Sequence, residues 1–98
     1  MRSFAAQYVA TALADPSVSW QQLTTRFQQN CCGGSEGNYR AYWDTIASAS
    51  LRDVQADPGS MQVSYVITWD PVDAAPEDEL VTLGLVRAGQ RYLIDYEL

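Results

Sequence analysis

The stretch "MQVSYVITW", residues 61–69, constrains this chain more than any other. It alternates without a break. Met61, Val63, Tyr65, Ile67 and Trp69 fall on one face, and Gln62, Ser64, Val66 and Thr68 on the other. A period of two is the mark of a strand with one buried face, and a helix cannot sort these residues. The buried face needs an apolar partner, so something must pack on it.

That partner lies upstream, where the period is helical. In "SFAAQYVATALADP", Phe4, Ala5, Tyr8, Val9, Ala12 and Leu13 make one stripe. Ser3 is the expected N-cap, and Asp15-Pro16 stops the helix. "SWQQLTTRFQQ" predicts a second helix, with Ser19 and Gln22 as a capping box and Trp20, Leu23 and Phe27 on its inner side. Gly33-Gly34 should end it, and Ser35 should cap a third helix whose face carries Tyr39, Tyr42, Trp43 and Ile46.

After residue 48 the pattern turns to strands. "SASLRDVQA" predicts one in which Leu51 and Val54 are out of phase, as a bulge or a late start would make them. "DPGS" is a turn, and "DPVDAAPEDE" is expected to be a polar loop. "LVTLGLVR" and "RYLIDYEL" predict two more strands, joined at Gly89-Gln90 by a type II′ turn that sets Leu85 opposite Ile94 and Leu83 opposite Tyr96. The expected fold is α+β: a single domain over residues 1–98, with N-terminal helices on a curved four-stranded antiparallel sheet.

Composition limits the partners. The 98 residues hold 12 acidic and 6 basic side chains, a net charge of -6, and every basic residue is Arg. An acidic chain without a basic cluster is not expected to bind nucleic acid or anionic lipid. No run is long and apolar enough to span a membrane, and the first residues lack the apolar core of a signal peptide.

The chemistry-bearing residues are few. Cys31 and Cys32 have no His beside them, because the chain has none. Two thiols alone cannot fill a zinc site, and a Cys nucleophile lacks its base. Adjacent Cα atoms lie about 3.8 Å apart, below the usual disulfide range, so a bond between these neighbours would be strained; that bond and an intermolecular disulfide are the alternatives to the favoured expectation, a helix-to-helix joint carrying free thiols. Asp44, Asp70 and Asp95 are the carboxylates beside aromatics; Asp44 lies off its apolar stripe, and Asp95 alternates to the face opposite Ile94 and Tyr96. They read as solvated or Arg-paired groups. The acidic residues Asp70, Asp73, Glu77, Asp78 and Glu79 lack calcium-loop spacing and read as a solvated loop. No metal or cofactor is expected. The abundant aromatics read chiefly as core.

The "AAxYVxAL" helix (Ala5, Ala6, Tyr8, Val9, Ala12, Leu13) and the "WxxLT" segment (Trp20, Leu23, Thr24) are followed by "YxxYWxxI" (Tyr39, Tyr42, Trp43, Ile46). A closing "YLID" (Tyr92, Leu93, Ile94, Asp95) completes the set. Together they resemble the NTF2-like, cystatin-like α+β superfamily. More narrowly, they look like small extracytoplasmic accessory domains at the C-terminal ends of actinobacterial membrane proteins such as Ser/Thr kinases. The resemblance implies a bent sheet wrapped around the first helix, with a pocket at the open end of the cone. Trp69, Tyr96 and Tyr42 are the candidates for that mouth. It also implies a sheet-to-sheet dimer contact, which would use Gln62, Ser64, Val66, Thr68, Val86 and Leu93. The expected function is a non-enzymatic extracytoplasmic interaction or sensing module for a protein or a small apolar ligand. Its rivals are an isomerase-like enzyme and a cytoplasmic dimerising scaffold.

Overall fold

The computed structural model describes all 98 residues. Four helices precede four strands: α1 (Arg2–Ala14), α2 (Pro16–Trp20), α3 (Thr25–Cys32), α4 (Glu36–Asp44), β1 (Ile46–Asp57), β2 (Gln62–Pro71), β3 (Glu77–Ala88) and β4 (Arg91–Glu97). The strands form one antiparallel meander in the order β1-β2-β3-β4. The α1 stripe of Phe4, Ala5, Tyr8, Val9 and Ala12 is buried together with Val63, Tyr65 and Ile67 of β2, and Met61 and Trp69 pack at the margin of the same core. The alternation of residues 61–69 therefore sorts as expected.

The expected second helix is two helices. Asp15 caps α2 by accepting from the Ser17 amide at 3.1 Å, with Pro16 in the first turn. Ser19 caps nothing. It is fully buried, and its hydroxyl donates to the Pro16 carbonyl. Residues 22–24 leave the helical path to pair with β4: the Ile94 amide donates to the Gln22 carbonyl (2.8 Å), and the Thr24 amide to the Ile94 carbonyl (2.9 Å). Thr24 then caps α3 through the Phe27 amide. At the start of α1 the capping residue is Met1, not Ser3, and no side chain caps there. Gly33 ends α3 in the left-handed region (φ 61°), and Ser35 caps α4, both as expected. Ile46 begins β1 instead of ending α4.

β1 carries the predicted bulge between Arg52 and Gln55, where Asp53 takes φ 55°. The loop after β2 is shorter than expected. Trp69, Thr68 and Ile67 pair with Glu77, Asp78 and Glu79, leaving only 72–76 outside the sheet. Arg52 holds Asp78 at 2.8 Å, and Thr68 donates to Asp78 at 2.6 Å, so this acidic segment is a strand stitched to its neighbours. Gly89 (φ 66°) turns the chain between the paired residues Ala88 and Arg91.

The register of the last hairpin differs from expectation at one point. Leu85 faces Ile94 as predicted, but Gly84 faces Tyr96 and Leu83 faces Glu97. One step on β3 spans two on β4, so Asp95 is an extra, bulged residue. Its carboxylate accepts from Thr24 Oγ1 (2.8 Å) and from Arg26 (3.3 Å), which draws the strand toward α3. Beyond a bulge every side chain changes face.

Candidate functional site

Between α1, α3, α4 and the inner face of the sheet lies a cavity of about 340 Å³. Its floor is core: Tyr8 and Val9 of α1, Tyr65 of β2, Val81 and Leu83 of β3, and Ile94 of β4. Phe27, Tyr39, Tyr42, Trp43 and Trp69 form the walls. Tyr42, Trp43 and Trp69 meet one another with ring centroids 5.6–6.1 Å apart and planes at 86°, 84° and 59°. The two Tyr42 crossings are the favoured edge-to-face contact, and the tryptophan pair is tilted. Tyr42 is half exposed, so its ring forms part of the rim.

Of the three rim residues expected from the sequence, Trp69 and Tyr42 line this cavity. Tyr96 does not. The bulge at Asp95 turns it to the outer face of the sheet, where it lies on Gly84 and accepts a 2.9 Å hydrogen bond from Gln62. Glu97 takes the inward place and lines the cavity together with Glu79. Sequence reading missed both carboxylates. Glu79 had a signal: it continues the odd-numbered stripe of Val81, Leu83 and Leu85, once the strand is extended back through the acidic segment. Glu97 had none, because its face depends on the bulge.

The other expected carboxylates lie elsewhere. Asp95 is held by Thr24 and Arg26, Asp70 accepts from Ser48, and Asp44 is exposed at the end of α4. The chain forms three ion pairs, Arg26–Asp95, Arg40–Glu36 and Arg52–Asp78. Glu79 and Glu97 belong to none of them. Glu79 accepts only the Trp69 indole N–H, at 3.2 Å.

The electrostatics follow from this placement. Burial, and then the charge of Glu79, push the Glu97 carboxyl above its usual range. A carboxyl with a raised folded pKa contributes stability below its unfolded pKa and loses it as pH rises through the raised value. The ionised Glu97 therefore costs stability at neutral pH. Burial raises the Tyr42 and Tyr65 hydroxyls, and both glutamates add to the effect. The field of the two carboxylates thus converges on the cavity.

One wall is polar in its depth. Tyr8 and Tyr39 hydroxyls lie 2.7 Å apart, and Tyr39 lies 2.7 Å from the Ser19 hydroxyl. Each hydroxyl has one proton. With Ser19 donating to the Pro16 carbonyl, Tyr39 donates to Ser19 and Tyr8 to Tyr39. Burial holds Tyr8 well above the usual tyrosine range, and the neighbouring Tyr39 adds to it. This chain explains why Ser19 is buried and not a cap.

The joint itself closes the site on the α3 side. Cys31 and Cys32 line the cavity and are bonded to each other, their Cα atoms 3.8 Å apart; no thiol is free. This corrects the expectation of free thiols. The two cysteines end α3 immediately before the left-handed Gly33. The bond joins neighbours in sequence, ties no distant elements together and adds little loop-closure entropy. No group of three or more Cys, Asp or Glu side chains converges in a metal-binding arrangement.

Compared with protein-family models, with curated proteins and with solved structures, the chain has no match in any of the three.

Proposed function

We propose that this is a non-enzymatic ligand-binding or sensing domain of NTF2-like type, working outside the cytoplasm as part of a larger membrane-anchored protein. The observation that carries the reading is the aromatic-walled cavity of about 340 Å³. Its volume lies in the range of small-molecule sites, and such sites are mostly apolar with a few placed polar groups. The residues quoted above for the family resemblance support the fold assignment. No helix of this domain is long and apolar enough to cross a membrane, so an anchor would lie outside it.

The isomerase-like rival has one point in its favour, the Glu97 carboxylate at the cavity as a base. A donor for a developing oxyanion would have to be Tyr42 or Tyr65, the two cavity tyrosines outside the hydroxyl chain. The Tyr8 proton is committed to Tyr39, and the chain of donors ends on a backbone carbonyl. A binding module needs no such donor.

Titration with the neutral fluorescent probe N-phenyl-1-naphthylamine, followed by two-dimensional NMR of the indole N–H groups, tests the proposal. The Trp43 and Trp69 signals should move and that of Trp20, which does not line the cavity, should not. Absence of any shift of Trp43 and Trp69 at saturating probe, or a shift of Trp20 alone, would overturn it.

Weak self-association through the outer sheet face belongs to the same proposal. Leu80 is 73% exposed and pairs with Val66, with Val86 exposed on the same strand. Gln62, Ser64 and Thr68, by contrast, spend their side chains on Tyr96, Thr82 and Asp78. A copy of this chain docking here would cover about 800 Å² per partner, the size of a standard interface. Light scattering over a concentration series should show a dimer that Val66→Lys abolishes. A dimer indifferent to that change, or a strict monomer at high concentration, removes this surface.

A further inference from the structure

We infer that the cavity selects small organic cations: an ammonium group carried on an apolar body. The inference rests on the cavity being a ligand site, as proposed above, and adds the charge of the ligand.

Three observations lead there. The first is that Glu79 and Glu97 both line the cavity while none of the six arginines pairs with either. Only three of the twelve acidic side chains pair with arginine, so what marks these two is that they share one apolar-walled space. Two like charges facing one apolar space repel, and the cost falls when a positive charge enters.

The second is the wall. A cation is attracted to the negative face of an aromatic ring, most strongly to tryptophan. Tyr42 crosses Trp43 and Trp69 at 86° and 84°, and the two tryptophans are tilted at 59°. All three rings line the cavity, so a ligand held there lies against aromatic surface. The third observation is that no basic side chain lines the space, so nothing in the wall repels a cation or recruits an anion.

The titrating groups facing the site are Glu79 and Glu97 from the sheet, Tyr42 and Tyr39 from α4, Tyr8 from α1 and Tyr65 from β2. The tyrosines stay neutral through the physiological range, since burial raises those at Tyr8, Tyr39, Tyr42 and Tyr65. The carboxylates alone set the charge. Protonation of Glu97, whose carboxyl gives up its proton late, should therefore weaken cation binding as pH falls through the carboxylate range.

The test compares two probes of one shape on the same indole signals. Benzyltrimethylammonium carries the charge. 2,2-Dimethyl-3-phenylpropan-1-ol replaces its nitrogen by carbon, carries one hydroxyl on a methyl group for solubility, and is neutral. The cation should bind roughly ten-fold tighter, as a partly desolvated cation–π contact and two unpaired carboxylates together allow. Replacing both glutamates, Glu79→Gln with Glu97→Gln, should bring the cation down to the affinity of the alcohol and leave the alcohol unchanged. Equal binding of the two probes, or discrimination that survives the double replacement, overturns the cation inference while the apolar-ligand reading stands. If Trp43 and Trp69 respond to neither probe nor to the naphthylamine, both readings fall.

Discussion

Trp43→Ala should cost about 3–5 kcal/mol of stability, the range for removing a large buried aromatic. A domain of this size has a total of only about 5–15 kcal/mol to lose. Trp43 is 5% exposed and touches four other rings, those of Tyr8, Tyr39, Tyr42 and Trp69, at centroid distances of 5.6–6.3 Å. It also stands in the cavity wall. The space left by its removal would open into the existing void, and the surrounding rings would lose contacts with nothing to collapse onto. Urea unfolding should show a lower midpoint with the slope unchanged. Trp20→Ala makes the comparison, because Trp20 is only partly buried and meets one ring, that of Tyr39, at 5.2 Å. It should cost less. A Trp43→Ala loss below about 1 kcal/mol would mean that the aromatic cluster is not the structural wall described here.

Gly84→Ala should cost about 1–3 kcal/mol, although alanine is the better strand residue. Gly84 is buried under the Tyr96 ring, and a Cβ placed there would fall within it. Tyr96 would have to swing away and give up the hydrogen bond from Gln62. The cost therefore belongs to the pair. In a Tyr96→Ala background the same Gly84→Ala change should be neutral or slightly stabilising, and a double-mutant cycle should return a coupling of about 1 kcal/mol or more. Additive costs would show that Tyr96 does not rest on Gly84 and that the register at Asp95 is other than described.

The same register accounts for the limits of sequence reading. The alternation of residues 61–69, the α1 stripe, the Gly33 cap, the Ser35 cap and the Gly89 turn were legible because each depends on residues within a few positions. So was the order of helices before strands. Trp69 was legible at the cavity from its place at the end of an apolar stripe, and Tyr42 from the aromatic face of its helix. Ser19 was misread as a cap because its partner, Tyr39, comes twenty positions later on another helix. The second helix was misread as continuous because what breaks it is Ile94, on the last strand.

Sequence by itself therefore determined the element types, the α+β class and the buried face of β2, since helical and strand periods are local properties of side-chain order. Tertiary structure alone decided which carboxylates meet the aromatic wall. Glu79 belongs there because the acidic segment pairs along β2 and is not a loop. Glu97 belongs there because Thr24 and Arg26 hold Asp95 in a bulge, and one inserted residue exchanges the two faces of everything after it. A strand's period is written in its own residues, but its phase is set by the partner it pairs with.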